Sequence, residues 1–118
     1  MDITEKMWRV VSALAGKKAQ DIVVLELRGM TVIADYFVIA TGTSLQHMHA
    51  LVDAVLDESR KDGIKGIRPE GAGESAWVLV DLGDIVVHIF DAENRDFYQL
   101  ERLWADAPRV PLPEEYTK

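Results

Sequence analysis

Apolar residues return at helical spacing along the start of the chain, where Ile3, Met7, Val10, Val11 and Leu14 share one stripe, with Asp2 or Thr4 as N-cap and Gly16 as the stop. The period then changes. Asp21 to Leu27, Asp-Ile-Val-Val-Leu-Glu-Leu, is a β-rich run closed by Arg28-Gly29, and Ala34 to Thr41 is a second apolar run after a short connector. Together they predict two strands paired in one sheet. Thr43 or Ser44 caps a long helix whose Met48, Leu51, Val52, Val55 and Leu56 lie on one face, with Gly63 beyond its last turn. Residues 64 to 71 read as a brief strand kept at the sheet margin by Pro69, and Ala72-Gly73-Glu74-Ser75 as a loop.

Residues 77 to 90, Trp-Val-Leu-Val-Asp-Leu-Gly-Asp-Ile-Val-Val-His-Ile-Phe, predict a hairpin about Leu82-Gly83. With those residues as the turn, the partners are Asp81 with Asp84, Val80 with Ile85, Leu79 with Val86, Val78 with Val87 and Trp77 with His88. Alternation gives one aliphatic face of Val78, Val80, Ile85, Val87 and Ile89, suited to a core. The other face mixes Trp77, Leu79, Asp81, Asp84, Val86 and His88. Two facing carboxylates repel unless a cation or donor answers them, and Leu82 puts a large apolar side chain at a tip that favours Gly, Asn, Asp or Ser. A covering helix accounts equally well for Leu79 and Val86, whereas Trp77 and Leu82 fit contact with a partner better.

After Phe90 the chain turns polar, and Asn94 or Asp96 caps a short helix carrying Phe97, Leu100, Leu103 and Trp104. Pro108, Pro111 and Pro113 break regular structure, which divides the chain into a domain over 1–107 and a Pro-rich tail over 108–118, extended or mobile. The order of elements gives an α/β fold, a single layered domain with a mixed β-sheet flanked by helices.

Composition narrows the function classes. Thirteen basic residues against twenty acidic leave a formal charge of −7, so phosphate backbones repel the chain and little direct nucleic-acid binding is expected. Basic proteins are the partners such a surface is steered towards. The chain has no Cys, which removes disulfides, thiolate metal ligation and thiol catalysis, and agrees with a reducing, cytoplasmic setting. Its N-terminus carries no basic segment followed by an apolar run, and no stretch approaches the roughly 20 apolar residues that span a bilayer, so neither secretion nor membrane insertion is expected.

Candidate chemistry is thin. Gly42-Thr43-Ser44 stands at a strand-to-helix junction, where free N–H groups can hold an anion, although a glycine followed by two hydroxyl residues is also an ordinary N-cap. A nucleotidyltransferase-like enzyme would pair Ser44 with magnesium held by Asp81 and Asp84, but those carboxylates flank a turn, and no Walker-type loop supports them. His47 and His49 are two apart on a helix and point in different directions, a poor zinc site. His88 beside Asp84 could form an oriented base, yet no nucleophile accompanies it, and a structural hydrogen bond is the simpler role. No cofactor or metal is expected.

Residues 34 to 44 (Ala-Asp-Tyr-Phe-Val-Ile-Ala-Thr-Gly-Thr-Ser) with His47, then Glu70-Gly71, then Trp77 to His88, then Arg95 to Trp104 with Tyr98, Leu100, Glu101 and Leu103, resemble the Iojap-related ribosomal silencing factor family. The blocks occur in the family's order and spacing over about residues 3 to 105, and the tail after Ala107 lies outside them. The resemblance implies a non-catalytic, nucleotidyltransferase-like fold. It also implies a translational repressor that docks on the fourteenth large-subunit ribosomal protein and keeps the small subunit from joining when nutrients are short. Family binding residues carry over to Trp77, Leu82 and Tyr98, and further to His88, Leu100 and Glu101. In that reading Trp77 and Leu82 form an apolar anchor with Tyr98 alongside, and Asp81, Asp84 and Glu101 meet basic side chains of the partner. The chain is then a monomer or weak homodimer; the alternatives are the enzyme using Ser44, Asp81 and Asp84, and a scaffold that uses the same face to dimerise.

Overall fold

The structure is a computed structural model that describes residues 2–64, 66–71 and 76–116. Helix α1 (Ile3–Gly16) is N-capped by Asp2, whose carboxylate accepts the Glu5 N–H, and it leads into β1 (Gln20–Glu26). Strand β2 (Tyr36–Gly42) feeds α2 (Leu45–Lys61), which Ser44 caps. The hairpin of β3 (Trp77–Asp81) and β4 (Ile85–Asp91) runs straight into α3 (Ala92–Tyr98), and a short α4 (Leu100–Leu103) follows.

The sheet order is β1-β2-β4-β3. β2 and β4 are parallel at the centre, while β1 and β3 pair antiparallel at the edges, which makes the sheet mixed as the order of elements predicts. Every residue of β2 is buried, as a central strand covered on both faces requires. On the first face, α1 and α2 set Met7, Val11, Leu14, Met48, Leu51 and Val55 against Val38, Ala40, Val78, Val80, Val87 and Ile89. On the second face the cover is much slighter, consisting of α3, α4 and the segment to Ala107 over Leu25, Phe37, Ile39, Val86 and Phe90. This imbalance positions the candidate site.

Three details differ from the sequence expectation. The hairpin register is shifted by two residues, with Trp77 opposite Phe90, Leu79 opposite His88 and Asp81 opposite Val86. The Leu82 N–H donates to the Ile85 carbonyl (2.9 Å), so Gly83-Asp84 forms the turn, and Gly83 holds the positive φ of +88° that its first position demands. Asp81 and Asp84 therefore do not face each other. Second, α3 starts at Asp91, whose carboxylate caps Asn94 N–H, instead of at Asn94 or Asp96, and Gln99 breaks the helical run at φ +51°. Third, residues 64–71 contribute an isolated bridge, Glu70 to Leu79, in place of a strand, with Lys65 and the loop 72–75 outside the described residues. The tail runs extended beside β1, where Pro108 O accepts the Glu26 N–H (2.8 Å) and the Val110 N–H donates to Val24 O (2.9 Å), before a 3₁₀ turn at Glu114–Tyr116.

Gly42 has a packing reason to be glycine. A Cβ there would lie 2.6 Å from Met48 Cγ and 3.2 Å from the Met48 Cα and N, because α2 begins tight against the end of β2. Gly42→Ala is expected to destabilise the fold by roughly 1–3 kcal/mol through forced displacement of the first turn of α2. Chemical denaturation would check this, and an unchanged midpoint would show that the helix start yields freely.

Candidate functional site

The site grows from the uneven cover of the sheet. Trp77 opens β3 and projects onto the second face, half-buried, with its indole stacked on the Phe90 ring (centroids 4.9 Å, planes 25° apart). α3 ends over the same spot and sets Tyr98 against Trp77 (4.9 Å) and Phe97 against Tyr98 (5.1 Å, edge-on). Tyr98 is 50 % exposed and Phe97 75 %, and Leu103 of α4 is 77 % exposed. Leu79 lies half-buried further along β3. A helix of seven residues broken at Gln99 is too short to close this face, so an aromatic and aliphatic patch remains exposed.

His88 lies beneath the patch. Its Nδ1 accepts the Trp77 indole N–H at 3.1 Å, which leaves the ring proton on Nε2, and the imidazole is 3 % exposed, edge-on to Phe37 at 4.7 Å. Nε2 has no hydrogen-bond partner among the described residues. Burial lowers its pKa from 6.5 to about 4, because desolvation penalises the imidazolium. The neutral ring thus works as a fixed acceptor that orients Trp77. Below pH 6.5 the unfolded chain takes up a proton that the folded chain refuses until about pH 4, so stability is full above pH 6.5 and falls between those values. The expected loss is roughly 3 kcal/mol by pH 4, at about 1.4 kcal/mol per pH unit. Denaturation measured across this range should show the slope, and His88→Gln should flatten it; an unchanged slope in that variant would assign the effect to other groups.

Other expected site residues fall elsewhere. Leu82 is buried, 5 % exposed, and belongs to the core under α1 and α2. The expectation of an exposed tip fails because the register shift makes Leu82 a strand-like position, alternating with Val80 and Val78 towards the first face. Leu100 is also buried, within the core of the second face. Glu101 is held by Arg95 (Nε to Oε1, 2.8 Å) and lies 3.9 Å from Arg109, while Arg95 Nη1 donates to Thr41 Oγ1 (2.8 Å). That network ties α3 and α4 to the end of β2, so Glu101 supports Tyr98 from within. Asp81 and Asp84 remain exposed at the hairpin turn, where Asp81 accepts the Gly83 N–H (2.8 Å) and Asp84 stands 3.9 Å from Lys6 Nζ.

The arrangement that an enzyme using Ser44, Asp81 and Asp84 needs is not assembled. Tyr36 pairs with Ile85 and Gly42 with Asp91, so the turn lies at the start of β2 and Ser44 beyond its end, about 20 Å apart at strand rise. The junction itself is occupied: Thr43 N–H donates to His47 Nδ1 (2.9 Å), His47 N–H donates to Ser44 Oγ (3.0 Å), and His47 Nε2 donates to Lys17 O (2.7 Å). A polar cavity of about 250 Å³ opens beside it, lined by Asp21, Thr41, Arg95, Asp96, Gln99 and Glu101, but its one cation is already paired. Among the described residues no group of three or more His, Asp or Glu side chains is placed to hold a metal, and no helix is long and apolar enough to cross a membrane.

Comparison with known proteins decides the family. The model of the family described as "Ribosomal silencing factor during starvation" matches residues 1–118, tail included. The chain belongs to the ribosomal silencing factor family. The ribosomal silencing factor of Bacillus subtilis is 43 % identical over 101 residues, covering 86 % of each chain. A mouse protein named for mitochondrial assembly of the ribosomal large subunit is 36 % identical over 121 residues, covering 91 % of this chain and 52 % of its own length. A crystal structure of a Chromobacterium violaceum protein superposes with a TM-score of 0.84 at 32 % identity, covering 97 % of this chain and 92 % of that one. Ribosomal silencing factors are thus named for regulation, not for a reaction. The α/β fold with its four-stranded mixed sheet is that of a solved relative.

The residue pattern singled out Trp77 and the family resemblance Tyr98, but neither gave the setting around them. Phe97 and Leu103 looked like core positions of one helix, and the break at Gln99 turns both outward. Arg95 carried no pattern that pointed to Thr41 and Glu101.

Proposed function

We propose that this chain represses translation by seating its aromatic patch on a basic protein of the large ribosomal subunit, the fourteenth large-subunit protein in the family resemblance, and so excluding the small subunit. The observation that carries the reading is the open second face, where Trp77 is held by His88 and Phe90 and flanked by exposed Tyr98 and Phe97. Large aromatics fixed in this way are the usual anchors of protein interfaces. Trp77 and Tyr98 make the apolar contact, exposed Asp81 and Asp84 offer charge to basic side chains, and His88, Leu100 and Glu101 hold the surface from beneath, while Leu82 stands in the core of the other face.

Exclusion needs no reaction. A body of about 34 × 33 × 27 Å placed on an intersubunit contact blocks it by volume. Occupancy sets the strength: at about ten times Kd, roughly nine per cent of large subunits stay free. A factor of this kind works where ribosomes are, in the cytoplasm, as a monomer or weak homodimer.

Sedimentation of the pure protein with each isolated subunit tests the partner. Comigration with large subunits alone is expected. Comigration with small subunits, or with neither, would contradict the reading.

A further inference from the structure

The segment after Ala107 crosses the edge of the sheet and joins its two faces. Ala107 is buried in the core of the second face, whereas Val110, Leu112 and Tyr116 lie half-buried against the core of the first, with the 3₁₀ turn packed on α1. Between them the chain runs antiparallel to β1 with Arg109 opposite Leu25, so that Pro108 O accepts the Glu26 N–H and the Val110 N–H donates to Val24 O. β1 is an edge strand, and this strap closes an edge that would otherwise present its backbone groups to another strand.

The strap is a poor template in its turn. Arg109 and Pro111 alternate with the residues that bond to β1 and turn their backbone groups outward, the first exposed and charged, the second without an N–H. Pro113 removes a further donor. Its hold on the sheet is light. Backbone hydrogen bonds at Pro108 and Val110 and the half-buried side chains of Val110, Leu112 and Tyr116 fasten it, and no described residue beyond Ala107 is buried. A segment fastened in this way opens at lower free energy than the strands beneath it.

An open β1 edge is complementary to itself. Under a twofold axis through Leu25, the Glu26 N–H of one copy meets the Val24 carbonyl of the other, so the groups that the strap satisfies would satisfy each other. Glu26 then faces Val24, and Asp21 lies in the irregularity between Gln20 and Val23, so no carboxylate stands opposite another. That axis is normal to the sheet. It keeps both first faces on one side and buries again the apolar strip that Val110, Leu112 and Tyr116 cover.

We infer that the strap of residues 108–116 is an edge guard that keeps the chain single, and that its release turns β1 into the seam of a twofold dimer. No residue of the aromatic patch takes part, and the seam lies at the opposite edge of the sheet from Trp77. It forms whether or not the chain binds ribosomes, and so goes beyond the proposed function.

The test uses the full chain and two variants: Val110→Pro, which removes the donor to Val24 O, and the same change with Leu112→Ser and Tyr116→Ser, which also removes the apolar hold. Sedimentation equilibrium over a concentration series gives the mass, and hydrogen exchange gives the protection of the Glu26 amide, with the β2 and β4 amides reporting an intact sheet. At low concentration the Glu26 amide of the variants is expected to exchange about tenfold faster than in the wild type, or more. As concentration rises, the mass should double and Glu26 protection return together, while the wild type stays single. If the triple variant loses protection in β2 and β4, the single variant is read in its place. Faster Glu26 exchange with no rise in mass at any concentration overturns the inference. So does a dimer in which Glu26 stays open, or one that Trp77→Ala abolishes, because the self-interface then lies on the aromatic patch. Unchanged Glu26 protection in both variants at low concentration, or a wild type that dimerises as readily as they do, would show that the strap guards nothing.

Discussion

Trp77→Ala is expected to weaken binding to large ribosomal subunits by roughly 2–4 kcal/mol, about thirty-fold to a thousand-fold in Kd. The indole stacks on Phe90, touches Tyr98 and is fixed by its bond to His88, so truncation removes the centre of the patch and frees the rings around it. Trp77→Phe separates the two contributions. It keeps an aromatic ring but loses the N–H that His88 accepts, and an intermediate loss is expected. Affinities measured by fluorescence titration against purified subunits, with circular dichroism confirming the fold, provide the check. Wild-type affinity in a folded Trp77→Ala protein would remove Trp77 from the interface.

Leu82→Ala is expected to act through stability. Leu82 packs in the core between the sheet and the two long helices, at 5 % exposure, so its truncation leaves a cavity and should cost roughly 2–5 kcal/mol of unfolding free energy. A fall in melting temperature of about 10 °C or more follows for a chain of this size. Below that temperature the folded fraction should bind large subunits within about threefold of wild type, since the side chain does not reach the second face. Melting curves and titrations of the one variant distinguish the cases. A large loss of affinity with an unshifted melting temperature would return Leu82 to the interface.

The contrast between Trp77 and Leu82 shows what the residue pattern can settle. Strand periodicity repeats every two residues, so a register shift of two leaves Val78, Val80, Val87 and Ile89 on the same face while exchanging the residues of the turn. The faces of the hairpin were therefore legible and its tip was not, because Leu82-Gly83 and Gly83-Asp84 are both acceptable turns to a pattern of types alone. The paired strands, their two covering helices and a cap at Thr43 or Ser44 followed from spacing and capping chemistry, and Ser44 is the residue that caps. The break at Gln99 did not, since a left-handed glutamine has no marker in sequence and the apolar stripe runs on through it. Prolines 108, 111 and 113 disfavour a long helix, but they say nothing of the 3₁₀ turn at Glu114–Tyr116 or of the Pro108 carbonyl and Val110 N–H that pair with β1. Glu101 looked like a free charge for the same reason: its arginine partners are six and eight residues away and meet it only in the fold.

The most direct measurement is subunit joining. Purified large and small subunits are mixed with and without this protein and separated on a sucrose gradient, with Trp77→Ala as the folded control. The account predicts that the wild type comigrates with large subunits and lowers the joined fraction in proportion to its occupancy, while the control does neither at the same concentration. Undiminished joining with the wild type bound to large subunits would contradict the exclusion mechanism.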